Sequence, residues 1–320
     1  MCNKTRFNID NNIIFLSGAL RSGTTMLRLM IDHHPDITFE SEFEYVTPMI
    51  TDEGYFPEIN DYYDFLETNA NFQMEDLIIN KSLDFVHLCR DFLLQKQKVT
   101  GTKILGSTVH NYFSRLKYVW PNARYIRITR DGRDVARSFI PMGWAGNVYH
   151  GIDHWINSEN EWESYKNVLD DDNWIEIKYE DLLDNPQAAL TQICDFIGLD
   201  YDAKMLDYPK YTTYSAPDSS LSYQWKNKQS EMELRLIESK AANILIKRGY
   251  LLSGLKDIHV SPLLKFKLWI QDRIYRWRFR INRYGFILTI SELVFRKLKM
   301  KNNLDKATKR INKIRLQYLK

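Results

Sequence analysis

The chain has 320 residues, 44% of them hydrophobic, with only 13 Gly and 9 Pro, which excludes a disordered or collagen-like polymer and leaves enough apolar mass for one large α/β domain with an appendage. Three cysteines, Cys2, Cys89 and Cys194, lie far apart and in no metal-binding spacing, which argues against a disulfide framework or a structural zinc and for a reducing compartment. The formal charge of +3 hides an asymmetry: Ser261–Lys320 holds 17 Lys/Arg against 3 Asp/Glu, leaving 27 against 38 in residues 1–260, so an acidic body carries a basic tail.

The N-terminus, MCNKTRFNIDNN, lacks the apolar run of a signal peptide, and no segment offers the roughly 20 apolar residues of a spanning helix, so a cytoplasmic chain is expected. Ile13–Ser17 reads as a buried parallel strand. A turn at Gly18 leads into a helix over about Thr24–His33, ended by Pro35. Residues 43–98 read as an insertion of irregular and helical segments on the acceptor side. Val99–Leu105 is expected to be a second strand and Arg124–Thr129 a third, followed by a helix from about Asp134 to Phe139. Trp174–Tyr179 reads as a fourth strand, with a helix opening at Pro186, since Pro suits a first turn. Glu231–Arg248 is an amphipathic helix closed by Gly249. Strands separated by helices predict a three-layer α/β fold of the P-loop type, with a central parallel sheet flanked by helices. The expected division is a domain over 1–255 and a basic, aromatic-rich helical extension over 256–320.

Gly18-Ala-Leu-Arg-Ser-Gly23-Thr24-Thr25 fits the frame of a phosphate loop between strand and helix, with Thr24 where the usual lysine would stand. Glycines let the backbone curl so that N–H groups and the helix N-terminus face an anion. Arg21, Ser22, Thr24 and Thr25 can add side-chain donors around Gly23. The missing lysine disfavours a magnesium triphosphate and favours a nucleotide with a single 5′-phosphate carrying a smaller transferable group. Arg130, at the C-terminal end of the Arg124–Thr129 strand, is placed where open α/β sheets bind ligands, and its planar fork suits a phosphate. Ser138 follows about two helical turns later.

These blocks resemble sulfotransferases that use 3′-phosphoadenosine 5′-phosphosulfate (PAPS), and most of all the tyrosylprotein and bacterial branch of that family. ALRSGTTMLRLMIDHHPDI is similar to its PRSGTT loop and LDxHP segment, with Ala19-Leu20 where the family often has Pro. Trp120–Ser138 resembles its 3′-phosphate block, with Arg130 and Ser138 as the matching residues. Lys178–Leu183 resembles its YEDL segment, and Gln224-Trp225-Lys226 its nucleotide-covering segment. The matches run over about residues 12–250. The resemblance implies a P-loop fold, PAPS as donor with 3′,5′-ADP as product, no metal, and transfer to a hydroxyl.

Such a transfer needs a base for the acceptor proton and a cation for the leaving oxygen. Glu42 has the spacing of the family's catalytic glutamate, with Glu40 and Glu44 beside it and His33 or His34 as rivals. Lys103, expected at the second strand's end, resembles the family's leaving-group lysine, although Ile104-Leu105 stand where Asp-Pro would be. Tyr179 is a candidate for adenine contact, and Lys226 for closing over the phosphates.

Residues 262–320 interleave Trp, Tyr and Phe with Arg and Lys, which suits either an anionic membrane surface or a packed helical extension; nucleic acid is not the expected partner. The acceptor is left open among carbohydrate, peptide tyrosine, lipid and small alcohol, with residues 43–98 and 139–170 expected to line its cleft. Two alternatives remain: a P-loop kinase or NTPase, and a catalytically inactive, membrane-associated homologue on the same scaffold.

Overall fold

The structure, a computed structural model, describes residues 12–318, without the side chains of Lys98 and Val99; the expectations for Cys2 and the N-terminal segment fall outside those residues. In chain order the elements are β1 (Ile13–Ser17), α1 (Thr24–Asp32), β2 (Ile37–Glu42), α2 (Ile59–Thr68), α3 (Phe85–Thr100), β3 (Ile104–Val109), β4 (Arg124–Thr129), α4 (Gly132–Ser138), α5 (Val148–Lys166), β5 (Trp174–Lys178), α6 (Tyr179–Asp184), α7 (Pro186–Ile197), α8 (Trp225–Lys228), α9 (Glu231–Lys247), α10 (Pro262–Tyr284), α11 (Phe286–Lys297) and α12 (Lys301–Gln317). They fall into two compact units. The first holds residues up to Leu66, Met74–Arg130 and Asn160–Ser222; the second holds Glu67–Gln73, Asp131–Glu159 and the chain from Tyr223 onward. The extension expected from residue 256 therefore shares a unit with 131–159 and with α9.

The first unit is built on a five-stranded sheet in the order β2-β3-β1-β4-β5, parallel at every pairing. Every residue of β1 is buried, because successive side chains point to opposite faces and both faces are covered. Ile14 and Leu16 join Leu27, Met30, Ile126, Ile128 and Leu190 in one apolar cluster. Phe15 instead meets Trp120 and Tyr125, with ring centroids 5.2 and 6.0 Å away. Strand order reverses at β1: the chain first builds outward to β2 and β3, then returns past β1 to β4 and β5. The crevice at the carboxyl ends of β1 and β4 is thus the switch point at which such sheets bind ligands.

Two sequence expectations need correction. The strand expected over Val99–Leu105 starts only at Ile104: α3 runs to Thr100, Gly101 closes it at φ +70°, and β3 spans Ile104–Val109. The buried Phe85, Leu88, Cys89, Phe92 and Leu93 sustain a helical period that overrides the β-branched residues at its end. The sequence reading also passed over β2, a polar strand on the sheet edge with Glu40 and Glu42 in its second half.

In the second unit, Asp131 caps α4 by accepting the Arg133 N–H at 2.9 Å. The Arg133 guanidinium pairs with Asp131 at 2.7 Å and Glu238 at 2.9 Å and stacks 3.7 Å over the Trp225 ring. Asp131 and Arg133 are buried, so this charged stretch is an interior tie and not a surface turn. Ser230 and Glu233 form a capping box that starts α9.

Candidate active site

The carboxyl ends of the first unit's strands gather the candidate chemistry. The loop after β1 curls tightly: Ser22 N–H donates to Ala19 O at 3.1 Å, and Arg21 takes the left-handed region at φ 71°. Gly23 caps α1 at φ 91°, and no side chain caps that helix start. The first-turn N–H groups therefore lack a side-chain acceptor, and no acidic residue stands in that turn. A Cβ on Gly23 would meet the Tyr179 ring at 2.3 Å, and one on Gly18 would meet Ile128 at 2.7 Å, so neither position accepts a side chain as it stands. The hydroxyls of Ser17, Ser22 and Thr108 are buried at this edge without a hydrogen-bond partner among the described residues. Buried donors of this kind are costly unless something polar reaches them.

Arg130 leaves β4 beside this loop. Its Nη1 donates to Arg21 O at 3.2 Å and its Nη2 to Leu221 O at 3.3 Å, while the guanidinium lies 4.2 Å over the Tyr179 ring. Tyr179 opens α6 straight after β5, which puts its ring against both Gly23 and Arg130. The structure thus brings together Arg21, Ser22, Gly23, Thr24, Thr25, Arg130 and Tyr179, drawn from three loops remote in sequence. Ser138 and Lys226 belong to the second unit. There the Ser138 hydroxyl donates to Val135 O at 3.1 Å, and the exposed Lys226 ammonium lies 5.0 Å from the Tyr223 ring.

Glu42 ends β2 on the same edge. A bulge at Ser41 breaks the pairing with β3, so Glu40 pairs opposite Ser107 and Glu42 opposite Thr108. Bulges re-aim side chains beside sites, and here the two glutamates acquire different partners. Glu42 Oε1 stands 3.7 Å from His110 Nε2. His110, the residue after β3, donates from Nδ1 to Gly18 O at 2.9 Å, and its backbone N–H donates to Glu44 at 2.5 Å. Burial works against the charged form of His110, yet the Glu42 and Glu44 carboxylates with the Gly18 carbonyl outweigh it and hold its pKa above the ordinary histidine value. Burial pushes the Glu44 carboxyl up from its usual range. His110 was not singled out in the sequence; the readable signal is its position straight after a buried strand, and that strand had been placed too early.

Glu40 faces away from this group. Its carboxylate lies 3.5 Å from Lys96, which also bonds Glu75 at 3.2 Å, and Ser41 donates to Glu75. Burial raises the Glu40 pKa to about 7, with Lys96 acting against it. These residues line a cleft of about 1480 Å³ alongside β2, walled by the end of α1, residues 75–81 and α3.

Three expected residues stand elsewhere. Lys103 precedes β3, at the amino edge of a parallel sheet; six residues of extended chain, about 20 Å, separate it from the strand's other end. It is exposed and paired with Asp36 at 3.1 Å, at the opposite end of β3 from His110. His33 and His34 follow α1, nine residues away from the loop, at its far end. His33 Nδ1 donates to Leu29 O at 2.7 Å. His34 Nε2 donates to Asp200 O at 2.9 Å, while its Nδ1 accepts the Asp36 N–H at 3.1 Å, so both histidines close the helix end.

A strand–loop–helix turn with an uncapped helix start, an arginine beside it and a carboxylate on the same edge define the candidate site of an α/β fold with a central parallel sheet. Residues 13–203 match the Sulfotransferase family, and the chain belongs to it. Among curated proteins it is 22% identical over 214 residues to protein-tyrosine sulfotransferase A of Caenorhabditis elegans, covering 63% of this chain and 54% of that protein. It is 23% identical over 215 residues to protein-tyrosine sulfotransferase 2 of Gallus gallus, covering 63% and 55%. The chain thus spans about half the length of these relatives. Among solved structures, the sulfotransferase domain of the curacin biosynthetic pathway aligns with a TM-score of 0.55 at 21% identity, over 75% of this chain and 98% of that domain. The sulfotransferase domain of the Synechococcus PCC 7002 olefin synthase aligns at 0.53 with 21% identity, over 72% and 94%. These likenesses establish a shared fold.

Proposed function

We propose that the chain transfers a sulfuryl group from PAPS to a hydroxyl, with the donor's 5′ end on the Gly18–Thr25 loop and its 3′-phosphate on Arg130. The carrying observation is the contact between Arg130 and the loop at Arg21 O, with Glu42 tied to the same loop through His110. The residues fit the donor: the orphaned Ser22 hydroxyl, the uncapped start of α1 and the absent Cβ at Gly23 offer donors and room for a phosphate. Thr24 at the lysine position makes a magnesium triphosphate the poorer occupant.

The donor supplies an activated sulfur–oxygen bond on a phosphate leaving group. In the transfer, the acceptor oxygen bonds sulfur, the bond from sulfur to the 5′-phosphate oxygen breaks, and the hydroxyl proton passes to Glu42. His110 fixes the Glu42 carboxylate against the loop, and the neighbouring carboxylates favour the charged form of its ring despite burial. Arg21 and Arg130 are the cations at this edge that neutralise charge growing on the phosphates. The names of the curated relatives make a tyrosine-bearing peptide the first acceptor to assay, and the cleft along β2, ending one residue from Glu42, the first surface to probe for it.

Calorimetry with 3′,5′-ADP and with ATP–magnesium, followed by transfer of labelled sulfate from PAPS to peptide, sugar and alcohol acceptors, tests this reading. Binding of 3′,5′-ADP over ATP with labelled product supports it. Preference for ATP refutes it, and donor binding without product on any acceptor class returns the chain to an inactive nucleotide binder.

A further inference from the structure

Helix α10 presents two apolar faces, and only one is covered. The inner face is fixed within the second unit. Leu268 packs with Tyr149 and Leu236, and Leu264 lies against that cluster. Asp272 accepts the Gly146 N–H at 2.6 Å, and the Tyr275 hydroxyl donates to Ile140 O at 3.0 Å. Two positions beyond 264, 268, 272 and 275 come Phe266, Ile270, Ile274 and Trp277, and two residues turn the helix by about 200°. These side chains and Leu263 therefore point directly away from the packed face. Leu263 is 64% exposed, Phe266 57%, Ile274 49% and Trp277 39%. The usual surface helix carries polar residues there.

The same geometry lines this stripe with cations. Lys267 and Arg278 fall on one flank and Arg273 and Arg276 on the other, all exposed. Trp269 borders the stripe, stacked on Phe266 at 6.0 Å with the Arg273 guanidinium 5.5 Å from its ring. Over residues 262–284 the acidic residue, Asp272, is turned inward and buried.

We propose that the outer face of α10 is a docking surface for an anionic lipid bilayer, with the helix lying in the interface plane. Charge complementarity selects this occupant. A second copy of the chain would set like-charged flanks against each other, and an acidic polymer in water would pair the cations but leave Leu263, Phe266, Ile270, Ile274 and Trp277 wet. Acyl chains take the stripe while anionic headgroups take both flanks, and the two rings sit at the level such rings prefer. Among the described residues no helix is long and apolar enough to cross a membrane, so attachment is by one face. This surface is independent of the proposed sulfuryl transfer and stands whether or not the chain turns over PAPS.

The test uses the full chain with vesicles of phosphatidylcholine alone or with a third phosphatidylglycerol. Expected are co-sedimentation with the anionic vesicles only, reversal by high salt, and quenching of tryptophan emission by lipids brominated near the headgroup. That quenching is lost in Trp269→Phe/Trp277→Phe. Arg273→Glu/Arg278→Glu lowers the partition coefficient by about twentyfold or more, since each basic residue at an anionic surface is worth about fivefold. Phe266→Gln/Ile270→Gln/Trp277→Gln keeps the circular dichroism and melting of the unaltered chain and no longer sediments. Equal binding to neutral vesicles, absence of quenching in the unaltered chain, or unchanged binding by the triple variant overturns the proposal. So does a dimer that the triple variant converts to monomer without any vesicle binding, or retention on heparin in a chain that ignores vesicles.

Discussion

His110 joins the start of the phosphate loop to the end of the edge strand: its Nδ1 donates to Gly18 O at 2.9 Å and its Nε2 stands 3.7 Å from Glu42. One buried imidazole thereby fixes the distance between the cradle and the proposed base. A carboxylate acting as general base contributes about 10²–10⁴-fold in rate. Glu42→Gln is expected to lower the transfer rate by that factor while 3′,5′-ADP affinity, measured by calorimetry, stays within a few-fold. Undiminished turnover would remove Glu42 from the mechanism.

The second prediction concerns the far end of the nucleotide. Arg130→Lys replaces a planar fork with a point charge and gives up the stacking on Tyr179. Affinity for 3′,5′-ADP should fall about 10–100-fold, the worth of charge-assisted hydrogen bonds at one phosphate. Lys103→Ala, at the other edge of the sheet, should leave nucleotide affinity and rate nearly unchanged, because its surface pair with Asp36 contributes about 0–1 kcal/mol. A large loss of rate in that variant would instead place Lys103 in the transfer.

Gly23→Ala places a side chain in the left-handed region and 2.3 Å from the Tyr179 ring. The conformation alone costs about 1–2 kcal/mol, and moving the ring costs more. Urea denaturation should show that loss, and calorimetry should show no 3′,5′-ADP binding. Retained binding at full affinity would mean that the cradle does not grip the nucleotide.

Glu40 supplies a stability prediction with a definite sign. Its carboxyl has a folded-state pKa of about 7 against 4.5 for the free group, so between those values the folded chain holds a proton that the unfolded chain releases. Stability should therefore fall as pH rises from about 4.5 to about 7, by at most about 3 kcal/mol from this group, and level off above. Glu40→Gln should flatten that slope in chemical denaturation across the same range. An unaltered slope would assign it to other groups.

His110 works in the same sense, beginning at a higher pH. Its pKa is held above 6.5 despite burial, so the pairing with Glu42 and Glu44 contributes fully below that value and is lost as pH rises through the higher folded-state value. The His110 ring protons, followed by NMR, should titrate above the free-histidine value, and Glu42→Gln should lower that midpoint. A midpoint at or below 6.5 would mean that burial prevails.

Much of the donor half was written in local pattern. β1, the loop and α1 are contiguous, so the strand, glycines and helix start of the proposed phosphate loop can be read in one stretch of sequence. The Arg124–Thr129 strand and the Glu231 helix were legible for the same reason, since period and punctuation agree there. Tertiary structure decided what depends on strand pairing. β2 carries polar residues and has no apolar alternation of its own in its second half; it is a strand because β3 pairs with it. That pairing and its bulge bring Glu42 to His110, two residues 68 positions apart that no sequence spacing links. It also fixes which end of β3 faces the loop, and so sets Lys103 at the opposite end of that strand. In the basic tail the sequence determined that apolar and cationic residues alternate, but helix packing settled which apolar residues are consumed inside and which are left facing water, because burial on one side of α10 fixes the direction of the other.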